Sequence, residues 1–147
     1  MSLEELYREV ILDHYRNPRN RSALDAPDNR AEGVNPLCGD EVTVEVRFDG
    51  DTVKQVSVRG QGCSISQSSA SMMSEAIKGK TKSEIDELSH RFKAMLSTED
   101  GDAELDPERP GSVLGDLEAL QGVKNYPVRI KCASLPWATL ADAIDGS

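Results

Sequence analysis

At 147 residues, with 26 acidic against 17 basic side chains, the chain carries a formal charge of −9 and is long enough to bury a core without cross-links. Three cysteines are too few for a disulfide framework, and the acidic balance, spread over most of the chain, argues against nucleic acid or an anionic membrane as the main partner; a basic protein surface fits better. No apolar run approaches the length of a membrane span and the start, Met1-Ser2-Leu3-Glu4-Glu5, lacks the basic character of a signal peptide, so the expectation is a single cytoplasmic domain over residues 1–147.

Ser2 and Glu5 read as a capping box, and Leu3, Leu6, Tyr7, Val10, Ile11 and Tyr15 recur at helical spacing, which predicts a helix over about 3–16 that stops before Pro18. His14 falls on or beside that stripe and reads as a hydrogen-bonded structural histidine rather than a ligand, since no second histidine motif accompanies it. Residues 17–35, punctuated by Pro18, Pro27 and Gly33, read as irregular. Val42, Val44, Val46 and Phe48 then alternate with polar residues as a half-buried strand. Asp49-Gly50-Asp51 turns the chain, and Val53, Val56 and Val58 continue as an antiparallel partner with a phase break at Val53 that suits a bulge.

Ser64 to Ile77 is rich in Ser, Ala and Met at helical spacing and ends at Gly79, with Met72 and Met73 as core residues. Thr81 and Glu84 cap a further helix whose inner stripe is Ile85, Leu88, Phe92, Met95 and Leu96. The run Glu99, Asp100, Asp102, Glu104, Asp106 and Glu108 reads as a solvated loop. Val113, Leu114, Leu117 and Leu120 make a short helix ending near Gly122, and Leu135, Ala138, Leu140, Ala141 and Ile144 a closing amphipathic one. The fold class is therefore α+β: a small antiparallel sheet, a hairpin over about 41–59 with room for one further short strand, packed against about five helices. Two phosphate-loop lookalikes fail, since Ser74 stands where the loop before Gly79-Lys80-Thr81 needs glycine and Ile65 where Gly60-x-Gly62 needs its third.

The chemistry lies with the cysteines. Cys38 sits between a proline turn and Gly39, with Asp40 two residues on; Cys63 stands before Ser64, which reads as a helix N-cap; Cys132 follows Arg129 and Lys131, whose charge favours a thiolate. The hairpin sets Cys38 before its first strand and Cys63 after its second, so 25 residues of sequence separation become proximity in space. Three thiolates and one carboxylate, Cys38, Cys63, Cys132 and Asp40, form a donor set that Zn²⁺ accepts in tetrahedral geometry. The rival reading, three buried cysteines acting as small hydrophobes, stands equally on spacing alone, because no Cys-x-x-Cys knuckle is present.

Three segments carry a resemblance: Asn35-Pro-Leu-Cys-Gly-Asp40, Gly60-Gln-Gly-Cys-Ser-Ile-Ser66 running into Ser68-Ser-Ala-Ser-Met-Met73, and Pro127-Val-Arg-Ile-Lys-Cys132. Together with Tyr7-Arg-Glu-Val-Ile-Leu-Asp-His-Tyr15 and Asn17-Pro-Arg-Asn20, they resemble the signature segments of the SufU/IscU, or NifU-N-like, family over about residues 3–145. Lys131 stands where IscU members place a histidine, and residues from about 93 to 115 look like the extra, here acidic, segment of the SufU branch. The resemblance implies an IscU/NifU-N-like fold. It also implies a zinc-bound sulfurtransferase that takes persulfide sulfur from a pyridoxal-phosphate cysteine desulfurase (SufS-like) and serves the downstream Suf cluster-assembly machinery.

In that reading Cys38, Asp40, Cys63 and Cys132 hold Zn²⁺, and Cys38, on a Pro/Gly-flanked loop able to swing, accepts the sulfur. Arg129 and Lys131 steady the negative charge. Two other readings use the same residues: an iron–sulfur cluster scaffold, since thiolates bind both metals well, and a closed structural zinc module that organises a protein-binding surface.

Overall fold

The computed structural model describes residues 3–36, 39–96 and 114–145. In chain order these form helix α1 (Leu3–Arg16), strands β1 (Asn29–Asn35), β2 (Asp40–Asp49) and β3 (Thr52–Gln61), helices α2 (Ser64–Ile77) and α3 (Lys82–Leu96), a 3-10 helix (Gly115–Asn125) and helix α4 (Pro127–Asp145). The sheet is antiparallel in the order β1-β2-β3, and the α+β class expected from the sequence is the one observed.

Alternation decides the β2–β3 hairpin. Val42, Val44 and Val46 face inward and pair across to Gly60, Val58 and Val56, all three valines being buried. The register shifts after Arg47↔Gln55 to Phe48↔Val53, leaving Lys54 as the extra residue of a bulge beside the phase break at Val53.

Residues 17–35 are not irregular throughout, because β1 occupies the last seven of them and pairs with β2 from Asn29↔Val46 to Asn35↔Asp40. Its sequence has little β character, with Ala31 and Asn35 buried and Arg30, Glu32 and Val34 exposed. Packing makes it a strand: a Cβ at Gly33 would run into Thr139 and Leu135 of α4, so glycine lets the helix lie directly on the strand. The preceding residues wrap β3 and the polar face of the sheet. Val58 N–H donates to Asn20 O (2.8 Å), and Leu24 N–H to Glu45 (3.3 Å), a buried carboxylate also paired with Arg59 at 2.9 Å.

α2 is the central helix. Its serines satisfy their hydroxyls on nearby carbonyls, as Ser68 does on Ser64 O (2.6 Å), which lets a helix with so many hydroxyls be buried. Ser69 crosses to Ala133 O of α4 at 2.6 Å. Above it Phe92 and Trp137, both fully buried, stack with centroids 4.8 Å apart, tying α3 to α4.

α1 packs Tyr7, Val10 and Ile11 of its apolar stripe against the core, while Leu6 and Tyr15 are exposed and His14 is buried. The His14 ring bridges Ser71 Oγ and Asp116 Oδ2, each at 2.8 Å, and so pins α1 to α2 and the 3-10 helix. The Thr81–Glu84 capping box forms reciprocally, at 3.0 and 3.2 Å. The inner face of α4 differs from the expected one: Ala138 and Ala141 are exposed, whereas Ala133, Trp137, Leu140 and Ala143 are buried. The whole acidic run, from Glu99 to Glu108, lies outside the described residues. Among the described residues no helix is long and apolar enough to cross a membrane.

Candidate metal centre

The last pair of the β2–β3 ladder, Glu41↔Gln61, leaves Asp40 at the start of β2 and Cys63 two residues past the end of β3, just beyond it. Asp40 is fully buried, and its two carboxylate oxygens divide the work. Oδ1 accepts the Cys63 N–H at 2.8 Å, while Oδ2 lies 3.8 Å from Cys63 Sγ. Between them Gly62 adopts φ +146°, and a Cβ there would strike the Asp40 carboxylate and Cα. Any other residue at 62 therefore pushes Asp40 out of place.

The sequence suggested Ser64 as the N-cap of α2, but Cys63 takes that role, with φ −71° and ψ 164° and its sulfur accepting the Ser66 N–H at 3.5 Å. Cys63 has the extended backbone a cap needs, and Ser64 is already helical. The consequence is a sulfur placed at the positive end of the helix dipole.

Cys132 arrives from elsewhere. α4 begins at Pro127, so Cys132 stands in its second turn rather than at its end, and a dipole that fades after the first turn acts on it weakly. It is buried, its thiol donating to Val128 O at 3.6 Å, and the side-chain amide of Asn35 approaches its sulfur at 3.9 Å. Arg129 and Lys131 are exposed on the same helix. Arg129 lies 5.9 Å over the Tyr126 ring, and among the described residues neither forms a hydrogen bond or ion pair with Cys63 or Cys132. Cys38 lies outside the described residues, on the connection from Asn35 to Asp40.

One ligand atom from each of Asp40, Cys63 and Cys132 can be chosen so that all lie within 4.8 Å of one another. A tetrahedral Zn²⁺ sets its sulfur and oxygen ligands about 3.3–3.8 Å apart, so a contraction of about 1 Å would close the set. The chemistry fits a cation as well. Two thiols and a carboxyl this close repel when ionised, and among the described residues no lysine, arginine or histidine pairs with Asp40 to offset that.

A groove of about 680 Å³ opens beside the Cys63 end, lined by Tyr7, Ile11, Ile65, Val123 and Tyr126 and flanked by Arg8 and Arg129. Sequence reasoning singled out Asp40, Cys63 and Cys132 but not the roles of Asn35 and Gly62. Their only signal was adjacency, Asn35 opening the first motif and Gly62 preceding the second cysteine.

Known proteins carry the same architecture. The zinc-dependent sulfurtransferase SufU of Bacillus subtilis (strain 168) is 44% identical over 97% of this chain and 92% of its own length. The iron–sulfur cluster assembly scaffold protein IscU of Streptococcus pyogenes serotype M1 is 37% identical over 99% of this chain and 86% of its own. The crystal structure of the N-terminal part of a nitrogen-fixing NifU-like protein from Brucella abortus superposes with a TM-score of 0.83 at 25% identity, covering 98% of this chain and 95% of that one. The model of the NifU-like N terminal domain matches residues 6–133, and with the sheet, the helices and the Asp40–Cys63–Cys132 cluster in place, this chain belongs to that SufU/IscU-containing family.

Proposed function

We propose that this chain is a zinc-dependent sulfurtransferase: Cys38 accepts persulfide sulfur from a cysteine desulfurase of the SufS type and relays it to iron–sulfur cluster assembly. The observation that carries this reading is the convergence of Asp40, Cys63 and Cys132 within 4.8 Å, in a chain 44% identical to a named zinc-dependent sulfurtransferase. Zn²⁺ held by these three residues and Cys38 would keep the sulfurs deprotonated at neutral pH and add binding energy to the fold.

The chain's own groups supply the rest. Asp40 and Cys63 are fixed by the hairpin ends and Cys132 by a buried helix, whereas Cys38 stands two residues before Asp40, between Pro36 and Gly39, and is the sulfur best placed in sequence to leave and react. Its thiolate attacks the outer sulfur of the desulfurase persulfide. The sulfur–sulfur bond breaks, the electron pair leaves on the desulfurase cysteine as a thiolate, and Cys38 retains the transferred sulfur with its proton. Arg129 and Lys131, exposed near Cys132, offer positive charge to the incoming anion. The groove between Arg8 and Arg129 offers apolar and aromatic surface to the desulfurase.

An iron–sulfur scaffold is the second reading, favoured by the 37% identity to a named IscU scaffold; Lys131 in place of that branch's histidine weighs against it. Metal analysis and an absorption spectrum of protein purified without oxygen separate the two. About one zinc per chain and no visible chromophore support the sulfurtransferase, while iron with inorganic sulfide and a visible charge-transfer band would replace it with the scaffold. After incubation with a cysteine desulfurase and cysteine, mass spectrometry should find one added sulfur on Cys38, and Cys38→Ser should abolish stimulation of desulfurase turnover. Full stimulation by Cys38→Ser, with zinc still bound by wild type, leaves a structural zinc module as the better account.

A further inference from the structure

We propose that Asn35 is a positioning residue of the metal centre: its side-chain amide donates an N–H···S hydrogen bond to the Cys132 thiolate and holds that ligand in place. The inference rests on the reading that Cys132 binds metal, and it starts from what each sulfur needs once deprotonated.

The Cys132 thiol has an acceptor, Val128 O at 3.6 Å, four residues back along α4. That contact requires the S–H proton. Metal binding removes the proton, and the thiolate then faces a carbonyl oxygen, a repulsive pairing, so the ligated form needs a donor instead. Cys63 already has one, the Ser66 N–H at 3.5 Å, supplied by the backbone at the start of α2. Cys132 lies in the second turn of α4, beyond the N–H groups left open at the helix start, and receives its donor from across the fold: the Asn35 amide nitrogen, 3.9 Å from its sulfur.

Asn35 is built into that place. It is the last residue of β1, 8% exposed, and pairs across the ladder with Asp40, so the strand that carries the amide is in register with the strand that carries the carboxylate ligand. α4 in turn lies on β1 at the glycine two residues earlier, which fixes the distance between Asn35 and Cys132 through backbone packing. A buried amide aimed at a ligand sulfur draws charge from it and fixes its direction. The arrangement therefore anchors Cys132 as a ligand that stays.

The test uses the full chain with Co²⁺ in place of zinc, comparing wild type with Asn35→Leu, which keeps the branched heavy-atom shape of the side chain, in a larger volume, and removes the donor. Loss of the N–H···S bond leaves the thiolate more electron-rich. The sulfur-to-cobalt charge-transfer band should move to longer wavelength, while the d–d bands keep their tetrahedral intensity. A charge-transfer band coincident with wild type overturns the assignment of Asn35 and leaves the metal reading intact. A wild type with no tetrahedral cobalt spectrum overturns the metal reading and the assignment with it. Should Asn35→Leu fail to fold, the wild type loaded with ¹¹³Cd decides: a scalar coupling between cadmium and the Asn35 side-chain amide proton confirms the bond, and its absence refutes it.

Discussion

Two halves of the candidate metal centre reach the same point by different means. Asp40 and Cys63 meet because antiparallel strands bring their ends together, and the contact is locked within a few residues by the Asp40 Oδ1 to Cys63 N–H bond and by Gly62. Cys132 meets them only because α4 packs on α2, β1 and α3, through Ser69 to Ala133 O, Gly33 beneath Thr139, and the Phe92–Trp137 stack. The first half is a property of a hairpin and the second a property of the whole core. The hairpin corner should keep its geometry under perturbations that shift the helix, and metal affinity should report on core packing far from the metal.

Trp137→Ala is the sharpest way to break that distinction. It empties a fully buried site and removes the stack with Phe92, at a cost of about 3–5 kcal/mol, read as a drop in denaturation midpoint. Because α4 carries Cys132, zinc affinity by chelator competition should fall with it. Affinity unchanged beside such a loss of stability would mean that the position of Cys132 does not depend on the core.

Gly62→Ala attacks the local half. The backbone at φ +146° and the collision with Asp40 predict a loss of about 1–3 kcal/mol together with lowered zinc affinity, while the near-ultraviolet signal of Trp137 stays native. The pair Asp40→Ala and Asp40→Asn then divides the carboxylate's two roles. Asparagine keeps an oxygen for the Cys63 N–H, so the metal-free alanine variant should be less stable by about 1–3 kcal/mol, while both variants lose the charged ligand and bind zinc more weakly. Equal melting temperatures for the two metal-free variants would show that the hydrogen bond to Cys63 carries no weight.

The same division explains what the sequence disclosed. The hairpin, the bulge beside Val53 and the capping box of α3 were legible because each is written in a few adjacent residues. β1 was not, since Asn-Arg-Ala-Glu-Gly-Val-Asn has no alternation that beats its charges, and it is a strand through its ladder to β2, with α4 resting on Gly33. The inner face of α4 was misread for a related reason. The helix is covered by α2 and by the sheet, so Ala133, Pro136 and Thr139 are buried along with Trp137 and Leu140, and no single apolar stripe marks the covered side. Of the candidate ligands, Asp40, Cys63 and Cys132 could be named from their residue types. Asn35 and Gly62 could not, because an amide and a glycine acquire their roles only from what the fold places against them.

The smallest effect tests the claim that sites outside both halves leave the metal alone. Thr81 and Glu84 cap α3 at its start, each accepting the other's backbone N–H. Thr81→Ala should cost about 1 kcal/mol, the ordinary value of a lost cap, with zinc affinity unchanged. The Thr81 backbone N–H, more than its hydroxyl, holds the Glu84 carboxyl below its usual range. The sign follows from linkage: a carboxylate depressed on folding stabilises the native state at pH values above its unfolded pKa. That contribution is lost as the pH falls through the lower, folded value. Glu84→Gln should therefore narrow its stability gap to wild type as solutions are acidified below the ordinary carboxylate range, a trend that a denaturant midpoint measured against pH reads directly. Glu84 is exposed and solvent screens its charge, so the gap should be small throughout. A gap that widens on acidification would contradict the capping geometry, and any accompanying change in zinc affinity would couple α3's first turn to a centre that the packing separates from it.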